Sequence, residues 1–311
     1  MKRIIYFLFV ILFFTSNFLL SAAAIREYYD KPSLQEESNF VPADSVSSVW
    51  KITKNGNTLF LGGSIHVLRE TDFPLPEQFD TAFYASDILV LETDTEQLST
   101  PEVQQYLLSQ IFLPDHKRLQ DILEEDTYEL LSSACIEYGL SIDEFARMKP
   151  SMVINILNLF QIQKYGFVQQ GIDEYYFEKA KSEKKPVSFL ESVQVQINML
   201  MSMGDGYEND YVRYSVEDIE SDEAELIILL YEWKNGTSEI SNNKRLIEMK
   251  EDWPQIYQSL ISSRHNEWLP QIKEFLESGK TCFVIVGLLH MHGPDGILQY
   301  LESIGCVIEQ F

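Results

Sequence analysis

Cys282-Phe283-Val284-Ile285-Val286-Gly287-Leu288-Leu289-His290 is an apolar run closed by a glycine, two apolar spacers and a histidine. A run this short, unbroken and rich in β-branched and aromatic residues reads as a strand buried on both faces, as in a parallel sheet. The glycine allows positive φ or a close backbone approach at the strand end, and the histidine is then presented in the loop beyond it. Thr58-Leu59-Phe60-Leu61-Gly62-Gly63-Ser64-Ile65-His66 repeats that frame near the other end of the chain. The sequence holds five histidines in all, so two in the same frame mark the rim of a sheet, where α/β proteins bind ligands.

Two carboxylates occupy equivalent places. Ile88-Leu89-Val90-Leu91 ends at Glu92, and Pro186-Val187-Ser188-Phe189-Leu190 ends at Glu191. If the four strands run the same way in one sheet, His66, Glu92, Glu191 and His290 converge at its C-terminal edge. Outward from these strands, Asn55-Gly56 marks a hairpin turn, and apolar residues recur at helical spacing from Thr100 to Tyr165. Gly171-Ile172-Asp173 opens a further helix through Lys181, and the segment from Glu191 to Gly279 is mostly helical. The last part reads strand, loop, helix, strand. Strands alternating with helices predict an α/β fold: a mostly parallel central sheet wrapped by helices, with a large helical insertion.

Composition sets the boundaries. Of 311 residues, 45% are hydrophobic and 13% aromatic, enough for a packed core. The first 24 residues place Lys2 and Arg3 before an apolar stretch from Ile4 to Leu20 and a small-residue Ser21-Ala22-Ala23-Ala24, the pattern of a secretory signal peptide. The expected location is therefore secreted or periplasmic. The apolar stretch is close to the length of a membrane span, so an uncleaved segment would instead anchor the protein facing outside the cytoplasm. Residues 25–47 are polar, with Pro32 and Pro42, and read as a flexible tether; 48–311 is expected to be a single domain. The net charge of −24 disfavours nucleic acid as a partner. Cys135, Cys282 and Cys306 have neither the number nor the spacing of a disulfide framework or a metal site.

Two imidazoles and two carboxylates at one rim can hold a divalent metal ion, zinc, manganese, cobalt or iron, because buried acids need a cation, a base or a shared proton. His66, His290 and Glu191 are assigned to the metal and Glu92 to proton transfer, and the two glutamates can exchange roles. Either could instead be a helix N-terminal residue favoured by the dipole. Arg264 is read as a solvated helix residue or as an anion clamp for a substrate carboxylate or a developing oxyanion. Asp173 caps its helix or supports a histidine. Gly63 and Gly287 shape the strand ends, and His292, two residues past His290, faces away and supports the site at most. His116 and His265 carry no motif and read as ordinary polar residues. Ser64 is not expected to face His66, and no phosphate loop, dinucleotide fingerprint, zinc-protease helix or nucleophile elbow is present. A metal-dependent hydrolase is the first function these residues suggest. A binding protein that sequesters a peptide or haem without turnover is the alternative.

At Gly63-Ser64-Ile65-His66, Glu92, Gly171-Ile172-Asp173, Leu190-Glu191, Arg264 and Gly287-Leu288-Leu289-His290 with Gly293 and Gly296, the sequence resembles the TraB/PrgY/GumN family over residues 48–311. The resemblance implies a fold like that of the erythromycin esterase and ChaN group. It also implies kinship with the metal-dependent Tiki proteases, hence a divalent metal cofactor and a peptide or protein substrate. His66 and His290 match the family's histidines, and Glu92 and Glu191 its strand-end acids. His292 stands where the family usually has an apolar residue.

Overall fold

The computed structural model describes residues 46–167, 169–219 and 223–311. The expected signal peptide and the expected tether, apart from Val46 and Ser47, lie outside the described residues. Ser47 is buried and its N–H donates to the Phe311 carbonyl at 3.0 Å, so this end of the tether packs as part of the domain.

In chain order the strands are β1 Val49–Lys54, β2 Asn57–Ser64, β3 Val67–Leu68, β4 Ile88–Leu91, β5 Gln169–Gln170, β6 Val187–Phe189, β7 Cys282–Gly287 and β8 Val307–Gln310. The longer helices are α1 Glu77–Ala85, α2 Pro101–Gln110, α3 Glu125–Glu137, α4 Pro150–Lys164, α5 Ile172–Glu183, α6 Val193–Met201, α7 Glu208–Ile219, α8 Glu223–Lys234, α9 Glu239–Asp252, α10 Ser263–Glu277 and α11 Ile297–Ser303. No helix among the described residues is long and apolar enough to cross a membrane.

Six strands form one sheet in the order β6-β4-β7-β2-β1-β8. β6, β4, β7 and β2 pair in parallel, and β1 alone runs against its neighbours. The β1–β2 turn has φ of 51° at Asn55 and 83° at Gly56, the two positive values that a tight hairpin turn needs. β7 sits between β2 and β4 and is buried along its whole length, which is why its sequence is apolar without alternation. Parallel neighbours require crossovers. Helices supply them, filling the connections from β4 to β6 and from β6 to β7, so the predicted architecture holds.

A parallel sheet places all its C-terminal strand ends on one side. The spatial order β6, β4, β7, β2 therefore lines up Glu191, Glu92, His290 and His66 on four adjacent strands, about 4.8 Å apart per step. Beyond β2, the small pairing of β3 with β5 draws the start of α5 against the His66 loop. Gly171 permits that approach: a Cβ there would lie 2.3 Å from the His66 carbonyl carbon. On the other flank, Trp233 of α8 is fully buried and donates from Nε1 to the Gly63 carbonyl at 2.8 Å. A Cβ on Gly63 would come within 2.5 Å of Leu288 Cδ1. Neither Gly63 nor Gly287 has positive φ; close packing accounts for Gly63, whereas a Cβ on Gly287 would meet its neighbours at 3.4–3.5 Å, ordinary contact distance. Cys135, Cys282 and Cys306 are buried thiols without disulfides, and Met199, Met201 and Met203 are core residues.

Candidate functional site

The four strand-end residues converge as their positions predict, and Arg264 sits among them. Its chain segment is a helix from Pro254 to Glu277 interrupted by a π-helical turn at Gln258–Ser262, a widening that often marks functional segments. Arg264 is 4% exposed, which removes the solvated reading. Its Nη2 donates to Glu92 Oε2 at 2.5 Å and to Glu191 Oε1 at 2.7 Å, and its Nε donates to Glu191 Oε2 at 3.2 Å. Glu191 is thus held in two parallel bonds by one edge of the guanidinium, the strongest geometry for this pair, and also accepts from Trp268 Nε1 at 3.0 Å. Glu92 accepts further bonds from Gln196 Nε2 at 3.2 Å and, on Oε1, from the Gly287 N–H at 2.6 Å.

Arg264 also fixes the protonation of the histidines behind it. Nη1 lies 3.1 Å from His290 Nε2, and because a guanidinium only donates, that nitrogen is the acceptor. The proton of His290 is then on Nδ1, which donates to His265 Nε2 at 2.9 Å; His265 in turn donates from Nδ1 to the Asp295 carbonyl at 2.6 Å. Both rings are neutral in this chain. Burial lowers the pKa of His265 to about 4, with the Arg264 charge adding to it, and pushes His290 well below its ordinary value, with Arg264, His265 and His66 adding to it.

His66 is different. Its Nδ1 lies 3.0 Å from Asp173 Oδ1, so it donates there and Nε2 carries the lone pair. Burial by itself would lower its pKa, but the charge and hydrogen bond of Asp173, with the charge of Glu92, outweigh that and raise it. For Asp173 burial acts upward, and the bonds from His66 and Ser64 bring it down. Asp173 therefore supports a histidine rather than capping its helix. Ser64 Oγ donates to the same oxygen at 2.7 Å, so, against the sequence expectation, Ser64 shares the face of His66, as residues two apart on a strand do.

His292 is directed elsewhere, its ring edge-on to Trp50 at 5.4 Å between centroids, and His116 is exposed. His265, read from sequence as ordinary, is 2% exposed and part of the cluster. The signal was its place on a buried stripe: Ile261, His265, Trp268, Ile272 and Leu276 recur at helical spacing and are buried. A polar residue in such a stripe needs a buried partner.

Gly287 leaves a notch between the two halves. A Cβ there would meet Glu92 Oε1 at 3.4 Å, and His66 Nε2 and His290 Cδ2 at 3.5 Å. The donor types around it, imidazole nitrogen and carboxylate oxygen, suit a divalent ion, and an imidazole held by a carboxylate on its other nitrogen is the usual posture of a metal ligand. His66 and Glu92 fit that role. Glu191 and His290 Nε2 are turned to Arg264, and among the described residues no three His, Cys, Asp or Glu side chains gather into one metal cradle. In charge, the carboxylates of Glu92 and Glu191 face the guanidinium of Arg264, and that of Asp173 faces the His66 imidazole.

A mostly parallel sheet with imidazoles and carboxylates collected around an arginine at its rim defines an α/β protein with a polar centre built from strand ends. The chain belongs to the TraB/PrgY/gumN family, whose sequence model matches residues 48–310. It is 27% identical over 257 residues to the Escherichia coli (strain K12) protein named "Uncharacterized protein YbaP", covering 81% of this chain and 90% of that one. The Shigella flexneri protein of the same name is 26% identical over 257 residues, with the same coverage.

Proposed function

We propose that the protein is a metal-dependent hydrolase of the peptidase type acting outside the cytoplasm. The observation that carries this reading is the crowding of acids at the rim: Glu92 and Glu191 share Arg264, Asp173 pairs with His66, and three carboxylates against one fixed positive charge favour a second cation beside them. His66 Nε2 and Glu92 Oε1 would hold a divalent ion, zinc, manganese, cobalt or iron, at the Gly287 notch. A bound ion of this kind lowers the pKa of its water towards about 7 and polarises a carbonyl.

The chain's own groups do the rest. Asp173 fixes the tautomer and orientation of His66. Arg264 positions Glu92 and supplies fixed positive charge against an oxyanion. Glu191, offered by the sequence as ligand or base, has its oxygens turned to Arg264 and Trp268 and away from the notch that Glu92 Oε1 borders, and it positions Arg264 instead. A second reading, a binder that sequesters a peptide or haem without turnover, is favoured by the deep burial of His290 and Arg264, which places them behind the crevice rather than on its surface.

Metal analysis of the purified chain combined with cleavage of a peptide library separates the two readings. The hydrolase reading expects a bound divalent ion, cleavage by the wild type, and loss of both in His66→Ala, with cleavage alone lost or reduced in His290→Ala. A wild type that holds no ion and cleaves nothing while still capturing peptide or haem would establish the binder.

A further inference from the structure

The rim opens into a crevice lined by His66, Glu92, Thr93, Asp173, Glu174 and Phe177 among others, with no lysine or arginine in its lining. Two of its three acids are engaged, Glu92 by Arg264, Gln196 and Gly287, and Asp173 by His66 and Ser64. The Glu174 side chain has no hydrogen bond or ion pair to any described residue. It is half-buried next to Asp173, and burial, Asp173 and Glu178 together raise its pKa. A start-of-helix position explains why an acid is tolerated there, but not the second observation. Thr93 is 4% exposed, and its hydroxyl has no partner among the described residues. A buried hydroxyl without a bond is unfavourable, and it lines the same space as a crowded carboxylate. Both groups accept hydrogen bonds, and the carboxylate also lacks a counter-charge. A compact cation with several N–H donors meets all three needs, and an ammonium group is such a cation.

We propose that this crevice is a subsite for a substrate ammonium group, held between the Glu174 carboxylate and the Thr93 hydroxyl beside the His66–Glu92 notch. The group belongs to a free peptide N-terminus or to a lysine-type side chain, and Phe177 offers an apolar wall for the attached carbons. The inference deepens the hydrolase reading by naming its substrate class and rests on that reading for the fate of the bound peptide; binding itself does not require turnover.

The test is calorimetry on the full chain with three peptides: Ala-Phe-Ala-Ala amide, its N-acetyl form, and N-acetyl-Lys-Phe-Ala-Ala amide. An ammonium-bearing peptide is expected to bind about tenfold tighter than the N-acetyl form that lacks one, and which of the two wins tells a chain terminus from a side chain. Glu174→Gln should abolish the preference, Thr93→Val should reduce it, and Glu302→Gln, on an exposed helix position, should leave it intact. Equal binding of all three peptides, no binding of any, or a preference that survives Glu174→Gln overturns the subsite. Cleavage is read separately: an amine preference without cleavage removes the hydrolase and keeps the subsite, and cleavage indifferent to the amine does the reverse.

Discussion

At the scale of the residue, Arg264 is the most constrained group in the site. Arg264→Ala would leave Glu92 and Glu191 buried without their cation and should cost about 3–5 kcal/mol, read as a shift of the urea midpoint at unchanged slope. Arg264→Lys keeps the charge but loses the bidentate grip on Glu191 and should recover only part of that stability. His265 acts one step further back, holding His290 in the tautomer whose Nε2 accepts from Arg264. His265→Gln should lower peptide cleavage by roughly 10- to 100-fold with little change in the far-ultraviolet spectrum; unchanged cleavage would show that the tautomer is fixed without it. The residues legible in the sequence, His66, Glu92, Glu191 and His290, each end an apolar strand, so local pattern alone gave their address. Arg264 and His265 were not legible in their roles because they lie within a helix, where sequence neighbours point in different directions and burial depends on what the helix is packed against.

At the scale of the element, two glycines test how the strand ends and helices are fitted together. Gly171→Ala forces a methyl to within 2.3–2.5 Å of the His66 backbone. Such overpacking should cost on the order of 1–3 kcal/mol and, by displacing the His66 loop, should also reduce cleavage. Gly287→Ala meets its neighbours at 3.4–3.5 Å, ordinary contact distance, but fills the notch between Glu92 and His66. Its expected signature is near-native thermal stability with lost metal binding, and a variant that still binds the ion would argue against the notch as its place. The strands, the Asn-Gly hairpin and the parallel arrangement were readable because each rests on a local signal. The β3–β5 pairing that brings Gly171 to His66 was not, since two short polar and apolar segments a hundred residues apart carry no periodicity to announce it.

At the scale of the whole molecule, the buried rings give stability a direction with pH. His265 has a folded pKa of about 4 against 6.5 for the free group, so as pH falls below 6.5 the unfolded chain takes up a proton that the folded chain refuses. Stability is therefore lost from about pH 6.5 down to about pH 4, and His290, also depressed, acts in the same sense. His66 acts in the opposite sense: its raised pKa contributes stability that is full below 6.5 and is lost as pH rises through the folded value. Thermal melts of His265→Gln should show a shallower acid-side decline than the wild type, and identical slopes would remove His265 from the balance. The overall architecture was legible because parallel strands separated by helices admit few arrangements. The order β6-β4-β7-β2, however, follows from packing across the sheet and from no feature of any one strand. That order has a consequence for synthesis. The strand at the middle of the sheet is the seventh of eight along the chain, so while the polypeptide is being made its earlier partners wait on either side of an empty slot. A truncated product lacking the final stretch thus has neither a complete sheet nor His290, and the cluster at the rim comes together only with the last strands in place.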